Sequence, residues 1–92
     1  MRSRLKEIAV RIPRVRYKWL WLDVNQLTSV PAEIGQLTSL TNLYLNRNQL
    51  TSVPAEIGRL TSLTKLDLND NQLTSVPAFI ANLKANGCDV KI

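Results

Sequence analysis

One eleven-residue stretch, NQLTSVPAEIG, occurs twice in this 92-residue chain, at Asn25–Gly35 and, 23 residues later, at Asn48–Gly58. A third copy, NQLTSVPA, begins at Asn71. A fixed short period indicates that the chain stacks copies of one small unit, each burying its apolar side against the next copy. A single globular core of unrelated elements is therefore excluded as the main architecture.

Each copy joins a half with strand periodicity to a half with helical spacing. Aligned on the asparagines, the copies share the skeleton LxxLxLxxNxLxxVPxxIxxL. Its first half alternates with period two, as in Leu43–Leu45, and this alternation predicts a short strand. In its second half Ile57 and Leu60 lie three residues apart, which predicts a short helical turn with Pro54 at the first helical position.

The asparagine at positions 25, 48 and 71 follows each predicted strand. An amide side chain both donates and accepts hydrogen bonds. If these side chains stack in successive copies, they satisfy backbone groups of the loops that would otherwise be buried without partners. The alternative is an ordinary turn asparagine with only local hydrogen bonds.

The skeleton resembles the leucine-rich repeat, and most closely its 23-residue intracellular type, with an LPxxIGxL second half, found in Ras-pathway scaffolds. The resemblance covers residues 17–85. It implies an α/β fold, a right-handed leucine-rich repeat solenoid with a parallel sheet on the concave face and short helical segments on the convex face. It also implies a protein-binding role without catalysis. The chain departs from the family in having only three repeats, no cysteine-bearing caps, and residues 1–16 that match no repeat.

The period divides the chain into predicted parts. Residues 1–16 are expected to form a basic N-terminal cap or arm, and residues 17–92 the leucine-rich repeat domain. Within that domain the predicted segments are repeats 17–39, 40–62 and 63–85 and a C-terminal cap, 86–92.

The C-terminal cap is predicted to contain a degenerate fourth strand. Cys88, Val90 and Ile92 alternate after a turn at Gly87, one residue out of step with the 23-residue period. In such a strand Cys88 is expected to be a small buried hydrophobic residue. A reactive thiol is the alternative.

Most of the charge lies at the start of the chain. Residues 1–18 carry seven basic side chains and one acidic one, whereas residues 19–92 carry five basic and six acidic ones. Apolar residues between 5 and 12 have the spacing of an amphipathic helix, although their alternation also allows a strand. An Arg-rich, acid-poor start is also typical of a cleavable organellar transit peptide.

Composition excludes several classes of site. The chain has no histidine and one cysteine, so it cannot form a Cys/His zinc site, a catalytic triad or an intrachain disulfide. It contains no phosphate-binding glycine motif and no apolar run near the ~20 residues of a membrane span. No cofactor, metal, small-molecule substrate or enzymatic activity is predicted. A lone cysteine favours a reducing intracellular compartment, with the cytoplasm expected and an organelle left open.

The strand alternation predicts which residues face outward on the concave side. The leucines of LxxLxL point into the core, so the residues between them form columns that cross the sheet. Exposed aromatic residues beside an arginine are typical of a binding hot spot. The alternative for Trp19 and Trp21 is that the basic arm folds over them as part of a cap. The candidate protein-binding residues are Trp19, Trp21, Asn42, Tyr44, Asn46, Arg47, Lys65, Asp67 and Asp70.

Three functions remain in view from the sequence. The first is a non-enzymatic protein-interaction module that binds through the concave face. The second is a small basic subunit attached to RNA or a ribonucleoprotein complex through its arm, because clustered cations followed by aromatic residues suit phosphate contacts and base stacking. The third is a self-associating structural repeat or an engineered repeat scaffold. The candidate contacts for RNA or an acidic partner are Arg2, Arg4, Lys6, Arg11, Arg14, Arg16 and Lys18.

Overall fold

Each period of the sequence produces one coil of the computed structural model, which describes residues 17–92. A coil consists of a three-residue strand, a loop and a helical segment. The helix or strand expected within residues 1–16 lies outside the described residues. The elements, in chain order, are β1 (Trp19–Trp21), the 3₁₀ helix η1 (Ala32–Gln36), β2 (Asn42–Tyr44), the 3₁₀ helix η2 (Ala55–Arg59), β3 (Lys65–Asp67), α1 (Ala78–Ala85) and β4 (Asp89–Lys91).

The strands form one parallel sheet in chain order, β1-β2-β3-β4. Leu20, Leu43, Leu66 and Val90 are in register at the strand centres. The first two steps are therefore 23 residues and the last is 24, which confirms a fourth strand that is one residue out of step. Burial follows the predicted alternation through Val90, since Cys88 is only 6% exposed and Val90 is half-buried. Ile92 departs from it and is 46% exposed, because it lies beyond the end of β4.

The core is a leucine-rich layer between the sheet and the helical segments. The strand leucines point into this layer as predicted, and Leu43, Leu45 and Leu66 are completely buried. Leu22, in the first coil, is only half-buried. The isoleucines of the helical segments complete the layer from the convex side, with Ile34 and Ile57 fully buried.

The prolines lie one position earlier than the sequence predicts. Pro31 and Pro54 have extended backbones, with ψ of 153° and 145°, so each immediately precedes the first helical residue. Their carbonyls accept the first bonds of the 3₁₀ helices, from the N–H groups of Ile34 and Ile57, both at 3.1 Å. The expectation of proline at the first helical position is therefore wrong, because the chain is still extended where proline fixes φ.

The third helical segment differs from the first two. It is an eight-residue α-helix rather than a short turn, because Ala81 replaces the glycine of the earlier copies and the following residues favour a helix. The helix ends in a Schellman motif, in which Gly87 has a φ of 92°. The Gly87 N–H donates to the Lys84 carbonyl (3.0 Å), and the Cys88 N–H donates to the Leu83 carbonyl (2.9 Å). This turn directs the chain into β4.

The repeated asparagines form the predicted ladder. Asn48 is 7% exposed, and its amide donates to the Leu45 carbonyl of its own coil (2.9 Å) and to the Leu22 carbonyl of the preceding coil (3.0 Å). Its side-chain oxygen accepts from the Leu27 N–H (3.1 Å). Asn71 repeats this set of bonds one coil later. The ladder therefore joins neighbouring coils, which an isolated turn asparagine would not do.

The helices within residues 17–92 are too short and too polar for any of them to cross a lipid bilayer.

Candidate functional site

The concave face of the sheet is formed by the outward-pointing residues of β1, β2 and β3 and by the second and third residues that follow each strand. The strand register places the candidate residues in columns across the coils. Trp19, Asn42 and Lys65 form one column, and Trp21, Tyr44 and Asp67 form the next. The backbone ladder continues past the strands, since Val24 N–H donates to the Asn46 carbonyl at 2.9 Å. The structure thus brings together on one face the candidate residues that the sequence places there.

Aromatic side chains dominate the end of this face near β1. The rings of Trp21 and Tyr44 stack with centroids 4.0 Å apart and planes 11° from parallel. Trp19 and Trp21 are each 62% exposed. The alternative in which the arm covers them concerns residues 1–16, outside the described part of the chain. The stacked pair presents an exposed, flat apolar surface, which is the composition of a binding hot spot.

A hydrogen-bond chain fixes the tyrosine of the stacked pair. Thr41 Oγ1 donates to Asn42 Oδ1 (2.8 Å), and Asn42 Nδ2 donates to the Tyr44 hydroxyl (3.1 Å). The Lys18 carbonyl, 3.0 Å from Thr41 Oγ1, accepts from the backbone N–H groups of Thr41 and Asn42. Because these contacts limit rotation, the Tyr44 ring is held in place before any partner arrives.

On β3 and after the ends of the strands, the outward-facing residues are mostly polar instead of aromatic. Asp67 Oδ1 accepts from the backbone N–H of Asn69 at 3.0 Å. The side-chain oxygen of Asn46 is buried and has no hydrogen-bond partner among the described residues. Buried polar atoms without partners are rare in folded proteins, so this oxygen marks a place where the concave face is incompletely satisfied.

Two ion pairs join neighbouring coils of the face. Arg47 Nε lies 3.9 Å from Asp70 Oδ2, and both side chains are exposed, so this cross-coil pair contributes little to stability. Lys65 Nζ lies 3.6 Å from Asp89 Oδ2. Asp89 was not among the residues predicted from the sequence to lie on this face. The 24-residue step of β4 brings it into register with Lys65. The alternation of Cys88 and Val90 was the signal that could have identified it.

The basic arm contributes one candidate residue, Lys18, to the described part of the chain. Its candidate residues at 2, 4, 6, 11, 14 and 16 lie outside the described residues. Lys18 is described, and its side chain is exposed.

The described residues contain no cluster of three or more histidine, cysteine or carboxylate side chains that could hold a metal ion. Cys88 is buried, as expected for a small hydrophobic residue. Burial, and secondarily the negative charge of Asp89, raise the pKa of its thiol above the ordinary value of 9.0. The thiol is therefore protonated at neutral pH, the form that is a poor nucleophile. This environment fits the structural interpretation of Cys88.

A second concave feature lies at the C-terminal end of the stack. An open groove of about 360 Å³ is lined in part by Leu68, Leu73, Val76 and Ile92. The valine of this coil, Val76, is 65% exposed, whereas the equivalent Val30 of the first coil is 6% exposed. The groove therefore lies where apolar residues of the third coil are left uncovered, because β4 covers only the strand part of that coil.

The comparisons with known proteins agree with this geometry. The leucine-rich repeat family matches residues 17–75. A solved leucine-rich repeat protein from Leptospira interrogans superimposes on 82% of this chain with 36% sequence identity and a TM-score of 0.68. This chain covers only 19% of the length of the Leptospira protein. No relative is found among curated proteins.

These findings confirm the predicted solenoid fold. Leucine-rich repeats are generally non-enzymatic modules that mediate protein interactions. A parallel sheet built from coils of one recurring sequence, an asparagine ladder between those coils and the family match lead to one conclusion. This chain belongs to the leucine-rich repeat family.

Proposed function

We propose that this chain is a non-enzymatic protein-interaction module that binds its partner through the concave face of the sheet. The observation that carries this proposal is the stack of exposed Trp21 on half-buried Tyr44, flanked by exposed Trp19 on the same face. Leaving apolar rings in water is unfavourable, and burial of a ring against a partner contributes more binding energy than burial of most other side chains.

The polar part of the face supports the same proposal. Two exposed or partly exposed ion pairs and several side-chain amides lie beside the aromatic stack, on the side towards β4. Protein interfaces usually combine an apolar patch with polar residues at its rim. Asn42, Asn46 and Lys65 would contribute to this rim, together with Arg47, Asp67 and Asp70.

The experiment is a site-specific cross-linking comparison in extracts of the source organism. A photoreactive side chain is introduced in place of Trp19 on the concave face or in place of Glu33 on the convex face. We expect a discrete cross-linked partner from position 19 and none from position 33. Excess unlabelled chain should abolish the cross-link because it competes for the same partner.

The competitor variants test which face binds. Tyr44→Ala with Arg47→Ala should compete at least about tenfold less well than the unmodified chain, since both changes remove hot-spot residue types. Gln36→Ala with Arg59→Ala, a matched pair on the convex side, should compete normally. Equal competition by the two variants would contradict binding through the concave face.

A further inference from the structure

On the concave face the large ring of Tyr44 lies beside the much shorter side chain of Asp67, and this difference in height forms a step. Tyr44 and Asp67 are in register on β2 and β3, in strands about 4.8 Å apart. One face of the Tyr44 ring is covered by Trp21. The other face is directed towards Asp67, whose side chain is too short to cover it. The uncovered face of the Tyr44 ring therefore has the carboxylate of Asp67 at its foot.

The carboxylate of Asp67 is not neutralised by the described part of the chain. Within residues 17–92 the ion pairs are Arg47–Asp70 and Lys65–Asp89, and neither involves Asp67. Lys91 is in register with Asp67 on β4 but forms no ion pair with it. Among the described residues, Asp67 accepts the Asn69 N–H through Oδ1, and none of them donates to Oδ2.

A neighbouring acceptor also lacks a partner. Asn46 follows Tyr44 by two residues and points to the same side of the sheet. Its side-chain oxygen is buried without a hydrogen bond among the described residues.

The geometry points to an arginine side chain of the partner protein as the occupant of this step, an inference that rests on the proposed function. A guanidinium group is planar and always charged, stacks on aromatic faces and donates several hydrogen bonds in its plane. It would stack on the free face of Tyr44 and donate to Asp67. A lysine ammonium is a strongly hydrated point charge that cannot cover a ring in this way. The partner surface is therefore a segment that presents at least one arginine.

The test uses the intrinsic fluorescence of the full chain, because its two tryptophans, Trp19 and Trp21, both lie on this face. The probe is a blocked Gly-Ser-Arg-Ser-Gly peptide, compared with peptides in which citrulline or lysine replaces the arginine. We expect a saturable change in emission with the arginine peptide. Binding of the citrulline peptide should be at least about fivefold weaker, because citrulline keeps the shape but loses the charge. The lysine peptide should also bind more weakly.

Two variants locate the contact. Asp67→Asn should weaken binding of the arginine peptide about five- to tenfold, because the charge-assisted hydrogen bond is lost. Glu56→Gln, a matched loss of one negative charge in η2 on the convex side, should leave the affinity within about twofold. Equal effects of the two substitutions, equal binding of the three peptides, or no response to the arginine peptide would overturn the inference.

The arm of the same chain is the competing source of arginine. In a full-length variant with glutamine at Arg2, Arg4, Arg11, Arg14 and Arg16, the emission of the free protein should be unchanged. A shifted emission in that variant would mean that the arm occupies the step, and would overturn a partner arginine. A partner that still binds the concave face while arginine and citrulline peptides behave alike would overturn this inference and leave the proposed function intact.

Discussion

At the scale of single residues, one backbone position per coil is held in an unusual conformation. Val24, Arg47 and Asp70 follow the strands and have φ of 55°, 59° and 59°. The neighbouring coil imposes this geometry, since the N–H groups of Val24 and Arg47 donate to carbonyls of the next coil at 2.9 Å. A left-handed backbone costs an L-residue about 1–2 kcal/mol, and a β-branched residue is the least suited to it.

We therefore expect Val24→Asn to increase the free energy of unfolding by about 1 kcal/mol, because asparagine tolerates the left-handed region. Urea unfolding monitored by circular dichroism measures the change. Val76→Asn is the control, since Val76 is equally exposed (65% against 63%) but does not have a positive φ. A similar gain at both positions would show that lost apolar exposure, and not backbone strain, explains the result.

The asparagine ladder gives a second prediction at this scale. Asn48→Ala should lower the free energy of unfolding by about 3 kcal/mol, because it leaves the Leu22 and Leu45 carbonyls and the Leu27 N–H without their partner. Asn71→Ala removes an equivalent set of bonds at a half-buried site, where water replaces part of them, so its cost should be smaller. Chemical denaturation of both variants provides the measurement, and a larger loss at Asn71 would contradict this account.

At the scale of elements, the two glycines of the convex segments have different surroundings. A Cβ atom at Gly35 would lie 2.9 Å from the backbone oxygen of Glu56 in the next coil. A Cβ atom at Gly58 would lie 3.2 Å from the Cβ atom of Phe79. The first contact is shorter and involves backbone, which cannot move without separating the coils. The two copies have the same residues immediately before these glycines, but the residues of the next coil that contact the glycines differ.

Gly35→Ala should consequently destabilise the protein by about 1–2 kcal/mol through overpacking. Gly58→Ala should change stability by less than about 0.5 kcal/mol, since the intrinsic preference of alanine for helical backbone offsets a tight contact that a small shift of Phe79 relieves. Thermal unfolding of the two variants compares them directly. The expectation fails if both glycines tolerate alanine equally.

The end of α1 gives the other prediction at the element scale. Gly87 has a φ of 92°, and a Cβ atom placed there meets nothing within 4 Å. The cost of Gly87→Ala is thus conformational and should be about 1 kcal/mol. Gly87→Asn should recover part of that loss, because asparagine also occurs at this position of helix ends. If alanine and asparagine are equally costly in urea unfolding, then a steric contact must be responsible.

At the scale of the whole molecule, the fold is a one-dimensional stack in which each coil contacts its neighbours. The convex segments show this, since η1 packs on η2 and η2 packs on α1. Burial of equivalent residues accordingly depends on position in the stack. Leu50, in the second coil, is fully buried, whereas its equivalent Leu73 is half-buried beside the open groove.

The same substitution should therefore have different costs along the stack. Leu50→Ala should destabilise by about 3 kcal/mol, because it leaves a cavity between two coils. Leu73→Ala should cost about 1 kcal/mol, because one side of this residue already faces the groove. Denaturant midpoints of the two variants test the difference. Equal costs would indicate that the groove is closed in solution.

Much of the fold could be predicted from the sequence, and the reason is physical. The 23-residue period fixes which residues recur at equivalent places, and the alternation within Leu43–Leu45 fixes which of them face the core. The asparagine ladder was predicted from the same recurrence. A side chain that occupies the same position in every coil lies next to the backbone of the neighbouring coil. The columns of the concave face, including Trp21 beside Tyr44, were predicted correctly on this basis.

Other features depended on contacts that no single copy contains. The sequence could not show that the Trp21 and Tyr44 rings stack at 4.0 Å, because ring orientation is set by Asn42 and its hydrogen bonds. It did not place Asp89 beside Lys65, because that pairing requires the 24-residue step of the last strand.

By itself, the sequence determined the architecture: the period, the buried leucines, the ladder and the identity of each concave column. These properties are local and repeat, so one copy specifies them all. The tertiary structure alone decided which rings are exposed, which carboxylates are paired, which backbone positions are left-handed and where the stack remains open. Those properties arise between coils, where residues that differ from copy to copy come into contact.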